Sequence, residues 1–146
     1  MSLFKLRTHN SELQTFTMKL ARKEFEETVV RALNRLPKFI KEKMENVDVV
    51  VEPRASQELL NEMGLRSPTE LLGLYQGVPY DRRGFYYGNV LPDKITLFQN
   101  PIELICETRE EVNEKVREVM IHEVGHYFGL DDDRLRELEA DESSRK

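Results

Sequence analysis

The stretch from Thr108 to Gly129 constrains the fold more than any other, because it reads as one long helix whose second half has no polar face wide enough for solvent. Thr108 and Glu111 have the spacing of a capping box, in which the threonine hydroxyl and the glutamate carboxylate take up backbone donors at a helix start. Val112 and Val116 mark a single face. Val119, Met120, Ile121, Val124 and Phe128 then spread round nearly the whole circumference, which predicts an increasingly buried C-terminal half. Gly129 offers the left-handed backbone that commonly ends a helix.

The remaining elements follow from periodicity and punctuation. Phe25, Val29, Leu33, Leu36 and Ile40 recur at helical spacing, so residues from about 20 to 45 are expected to be helical with a break or new start at Pro37. Val47-Asp-Val-Val-Val-Glu52 is β-branched and stops at Pro53, the signature of a strand. Residues 56 to 63 read as helix up to Gly64, and residues 71 to 75 and 94 to 99 as two further strands. Residues 76 to 93 make too long a connection for a tight hairpin. Tyr80, Arg82, Arg83, Tyr86 and Tyr87 within it are candidates for lining a cleft, weighed against a solvated loop with packed aromatics. Residues 1 to 17 are polar and aperiodic and are expected to form a flexible extension. One domain over 18–140 and a frayed tail over 141–146 complete the expected organisation.

Composition narrows the function classes. Charged residues make up 34% of the 146 and hydrophobic ones 39%, the balance of a globular chain with a heavily solvated surface. A net charge of −5 disfavours a broad footprint on nucleic acid or anionic lipid, both of which need clustered Lys and Arg. Cys106 is the single cysteine, so an intrachain disulfide and a four-cysteine zinc site are excluded by counting. The first ten residues lack the apolar core of a signal peptide, and no run approaches the ~18 apolar residues of a membrane helix. A cytoplasmic protein is the expectation.

The chemistry is concentrated in His122-Glu123-Val124-Gly125-His126-Tyr127-Phe128-Gly129-Leu130-Asp131-Asp132-Asp133. Four helical steps of ~100° bring His126 to within about 40° of His122 and one turn along, so both imidazoles can face one ion. Glu123 flanks that ion without having to bind it, which is where a general base would stand. Zinc held by three protein side chains keeps a position for water and lowers its pKa to about 7. The third histidine, His9, lies in the expected extension, so the third ligand is expected to be a carboxylate. Asp132 is presented by a chain reversal at Gly129, with Asp131 and Asp133 as alternatives. Two buried, hydrogen-bonded histidines in a chance HExxH string are the bland reading. The buried helix, the terminating glycine and the three aspartates argue against it. Gly125 inside the helix costs roughly 1 kcal/mol against alanine, which a close backbone approach would justify.

With those residues in place the sequence resembles the minimal zincin-like metallopeptidases from about Arg22 to Leu138. The resemblance is carried by His122 to Leu135, by Leu71-Leu-Gly-Leu-Tyr-Gln-Gly-Val-Pro79, by Val90-Leu-Pro-Asp-Lys-Ile-Thr-Leu-Phe98 and by Cys106-Glu-Thr108. It implies an α+β fold in which a small mixed β-sheet packs on a buried active-site helix. It also implies the extended motif HExxHxxGxxD, with His122, His126 and Asp132 as zinc ligands and Glu123 as the catalytic base. No methionine follows Met120, so the methionine turn of the larger metzincins is missing. Only Glu137, Glu139 and Glu142 remain to act as the distant glutamate ligand of the thermolysin-like group. The zinc endoribonucleases with three histidines resemble the chain less.

The expected function is zinc-dependent hydrolysis of a peptide bond in a peptide or protein substrate, with no nucleic-acid or membrane partner. The substrate is expected to pair along a strand edge, residues 94 to 99 being the candidate. The rival from another class is a noncatalytic zinc-binding or protein-interaction module, whose metal would be closed by four protein ligands.

Overall fold

The computed structural model describes residues 2–5, 18–77, 93–130 and 137. Its elements run β1 (Ser2–Lys5), α1 (Arg22–Asn34), α2 (Lys38–Glu42), β2 (Val47–Glu52), α3 (Gln57–Met63), a short 3-10 turn (Pro68–Glu70), β3 (Leu71–Gln76), β4 (Asp93–Phe98), α4 (Gln99–Leu104) and α5 (Arg109–Tyr127). The four strands form one sheet in the order β1-β3-β4-β2. β1 and β4 flank β3 antiparallel, whereas β2 lies parallel to β4. The fold is therefore α+β with a small mixed sheet.

Local chemistry explains most boundaries. Pro37 cannot continue α1 and instead stands as the residue before α2, where its missing N–H costs nothing. Thr108 Oγ1 accepts from the Glu111 amide at 3.1 Å, and the Glu111 carboxylate reaches back to the Glu107 amide at 2.7 Å. The capping box thus closes on the residue before the cap rather than on the cap itself.

Helices cover both faces of the sheet. On one, Phe25 and Val29 of α1 and Val112, Val116, Val119, Met120 and Val124 of α5 meet Leu72, Tyr75, Ile95 and Leu97 in the main core. On the other, Leu60 of α3, with Ala55 and Leu65, packs on Leu71, Leu74 and Phe98. β3 and β4 are buried on both sides, which explains why they read as nearly continuous apolar runs. The second half of α5 is the more buried one, with Val119, Met120, Glu123, Val124, Gly125 and Tyr127 all buried, while Ile121 and Phe128, also expected in the core, are half-buried along with the two histidines.

Three expectations are corrected. Within the segment expected to be a flexible extension, Ser2–Lys5 form an edge strand on β3. The strand candidate over 94 to 99 is β4, which ends at Phe98 because Gln99 opens α4, and it lies inside the sheet between β3 and β2. Both its edges are already hydrogen-bonded, so it offers no edge to a substrate; the margins are β1 and β2. No helix among the described residues is long and apolar enough to cross a membrane.

Candidate metal centre

α5 delivers the two histidines as one unit. Their Nε2 atoms lie 2.9 Å apart, with ring centroids 4.6 Å apart and planes at 73°. Both side chains are half-buried, so the point on which they converge remains within reach of a ligand. The i, i+4 relation on a continuous helix accounts for the convergence, since consecutive turns stack these positions over each other.

The helix ends at Tyr127, one residue past His126, in a Schellman turn. The Leu130 amide donates to the Gly125 carbonyl and the Gly129 amide to the His126 carbonyl, each at 3.0 Å, with Gly129 at φ 75°. A side chain at 129 would be strained there, so the glycine is what allows the chain to reverse straight after the second histidine. The reversal heads into Asp131, Asp132 and Asp133, which lie outside the described residues, as do Tyr80, Arg82, Arg83, Tyr86 and Tyr87. Among the described residues no cluster of three or more His, Cys, Asp or Glu side chains gathers in metal-binding range.

Glu123 points into the protein. It is 0% exposed, and neither carboxylate oxygen has a hydrogen-bond partner among the described residues. Burial pushes its pKa well above the usual carboxylate range; the Tyr75 backbone N–H pulls the other way without reaching full hydrogen-bond geometry. An orphaned carboxyl inside a core is costly, and chains retain such groups chiefly where a function uses them. The His122 and His126 Nε2 atoms, within hydrogen-bond distance of each other, supply the neutral-nitrogen part of a zinc donor set, and that part of the site fits a zinc ion.

Three contributors to the site escaped the sequence reading. A Cβ at Gly73 would stand 2.5 Å from Val119 Cγ1 and 3.4 Å from Glu123 Cγ, so β3 approaches α5 this closely only because residue 73 has no side chain. A glycine inside the otherwise apolar Leu71–Tyr75 run was the available signal for that contact. Tyr75 donates from its hydroxyl to Asp93 Oδ2 at 2.6 Å, tying the ends of β3 and β4 together. Its ring meets Tyr127 edge-on at 5.9 Å, and the Tyr127 hydroxyl donates to the Lys43 carbonyl at 2.7 Å. These contacts fix the helix turn that carries His126.

A family model described as Zincin-like metallopeptidase matches residues 44–142. The chain is similar in structure to a conserved hypothetical protein from Thermus thermophilus, with a TM-score of 0.51 and 23% identity over 75% of this chain and 94% of that one. At that identity the likeness speaks for the fold alone. No curated protein matches the chain.

Proposed function

We propose, for a chain that belongs to the zincin-like metallopeptidase family, that it hydrolyses peptide bonds with a zinc ion held by His122, His126 and Asp132 and with Glu123 as general base. The observation that carries the reading is the pair of Nε2 atoms 2.9 Å apart on α5, where the residue after His122 is a fully buried glutamate whose oxygens have no hydrogen-bond partner among the described residues. A zinc ion held there would supply Lewis acidity, polarising a scissile carbonyl and lowering the pKa of a water to about 7. Glu123 has the remaining task, which is to take a proton from the attacking water and hand it to the leaving amine nitrogen. Its burial keeps bulk water from competing for that proton. The Glu123 stem packs against the bare backbone at Gly73, where a side chain would crowd it. The substrate class is an extended polypeptide, and no residue of the site calls for nucleic acid or membrane.

The test is metal analysis coupled to cleavage of an unstructured polypeptide by wild-type protein and by Glu123→Gln. The substitution keeps size and polarity while removing the proton acceptor. Zinc content should stay near one per chain while turnover falls by roughly 10²–10⁴. Loss of zinc in the variant would recast Glu123 as a ligand. Unchanged cleavage would overturn the mechanism, and a fourth protein ligand completing the metal shell would favour the noncatalytic module instead.

A further inference from the structure

β3 is the strand nearest the proposed catalytic helix: Gly73 abuts Glu123, and α5 packs on β3, β1 and β4. β3 is paired with β4 on one side, so among the described residues its other side is the backbone edge beside Glu123 to which an extended chain could add. That edge is taken by β1, antiparallel, with Ser2 opposite Tyr75, Leu3 opposite Leu74 and Phe4 opposite Gly73. The regular ladder breaks at the next step, where the register shifts between Phe4 and Lys5. Irregularities of this kind end pairing and re-aim a strand, and they gather beside active sites.

From this juxtaposition we propose that β1 is a built-in occupant of the substrate cleft, holding the β3 edge that an extended polypeptide must take before it can be cleaved. The proposal rests on the metallopeptidase reading for the word substrate, and on the sheet alone for the competition. Glu123 supplies an independent observation. A base that deprotonates water must meet water, yet Glu123 is 0% exposed, and the strand that faces it is β3, whose edge β1 holds. Strand addition is a common means of peptide capture, because main-chain hydrogen bonds supply affinity without fixing sequence. An intramolecular strand on the same edge competes at high effective concentration, so the chain would bind free peptide weakly until β1 leaves.

The experiment compares full-length wild type with the double variant Leu3→Pro/Phe4→Pro. Adjacent strand residues point their N–H groups to opposite sides, so the pair of prolines removes one ladder donor whichever residue faces β3. The probe is a synthetic peptide with the sequence of residues 1 to 10, and the readouts are its affinity, amide exchange over residues 71 to 76, zinc content and cleavage of casein. The variant should exchange faster over 71 to 76, bind the peptide at least about fivefold more tightly than wild type, the equilibrium worth of one ladder hydrogen bond, and become protected again when it is bound. Zinc content should not change. Casein cleavage should rise by a similar factor. Tighter peptide binding with no cleavage by either protein would sustain the strand competition and sink the peptidase reading. Faster exchange with no gain in peptide affinity would overturn the proposal.

A second variant decides the matter if the prolines prevent folding. Leu3→Cys with Leu74→Cys places two thiols on directly opposed residues, where a disulfide can lock β1 in place. The oxidised protein should bind the peptide more weakly than the reduced one, and reductant should reverse the loss. Equal binding in both states would show that β1 guards nothing.

Discussion

Two glutamates lie deep in this small fold, and they are treated in opposite ways. Glu103 on α4 is 6% exposed and one of its oxygens is doubly engaged, Oε2 accepting from the Leu20 amide at 2.7 Å and from Gln99 Nε2 at 3.1 Å, while Gln99 Nε2 also donates to the Leu20 carbonyl at 2.9 Å. Glu123 on α5 is just as deep and its oxygens have no partner among the described residues. A buried carboxylate with its donors in place is a structural clamp, here fixing residues 18 to 20 ahead of α1, with the Met18 amide on the Cys106 carbonyl at 3.0 Å. One without donors is a group the fold tolerates rather than uses. Burial alone therefore does not distinguish a staple from a reactive group; the donor inventory does.

The sharpest way to break this comparison is at the metal. His122→Ala and His126→Ala should each lower zinc affinity by more than about 10²-fold, beyond the 10–100-fold that loss of a supporting outer contact brings. Asp132→Ala should follow, ahead of Asp131→Ala and Asp133→Ala. Elemental analysis and chelator competition read both results, and equal losses at the three aspartates would misplace the third ligand.

Next comes stability. Glu103→Ala should cost about 2–3 kcal/mol, because it strands the Leu20 amide and takes from Gln99 Nε2 one of its two acceptors. Glu123→Gln in metal-free protein should cost less than Glu103→Ala, since it exchanges one unpartnered buried polar group for another of the same size and strands no backbone amide. Urea melts of the two variants side by side would show it. A larger loss at Glu123 would turn it into another staple. Gly73→Ala tests the approach of β3 to α5: its methyl cannot coexist with Val119 as placed, and overpacking of this sort costs about 1–3 kcal/mol. A variant as stable as wild type would show that the gap between strand and helix yields freely.

Much of this is legible in the amino-acid sequence, and the readable part has a common character. The new start at Pro37, the stop of β2 before Pro53 and the glycine turn after α5 are each written into a few neighbouring residues. The convergence of His122 and His126 likewise needs only helical periodicity. What escaped depends on distant partners. β1 is a strand because β3 offers it an edge some seventy residues away. α4 begins at Gln99 without any side-chain cap to announce it. The interior place of β4 follows from its parallel pairing with β2, which no local pattern encodes. At the site, the unpartnered state of Glu123 is a property of everything around it, whereas Gly73 left a trace that a glycine within a strand should have raised.

The smallest effect concerns Cys106, whose thiol is pushed up to about 11 first by burial and then by the nearby Glu111 carboxylate. Its folded pKa lies above the ordinary thiol value, so the folded chain keeps a proton that the unfolded chain has lost. Stability tied to this group is complete below the ordinary thiol range and falls as pH rises toward 11. Cys106→Ala should flatten that alkaline decline slightly, and native protein at pH 8 should leave the thiol unmodified by a disulfide reagent. Rapid labelling without unfolding would mean the thiol is reachable.

The geometry of α5 has an entropic consequence. The helix is capped at Thr108, turned back by Gly129 and braced by Tyr127 against Tyr75, and the two imidazoles it carries already meet within hydrogen-bond distance, 2.9 Å from Nε2 to Nε2. Two flexible side chains that had to find one another when a ligand arrives would lose rotamer freedom at that moment, about 0.5–1.5 kcal/mol for each one immobilised. Here that loss belongs to the folding equilibrium. An incoming cation meets two imidazoles already brought together, and heat or denaturant that loosens α5 separates them together with the helix.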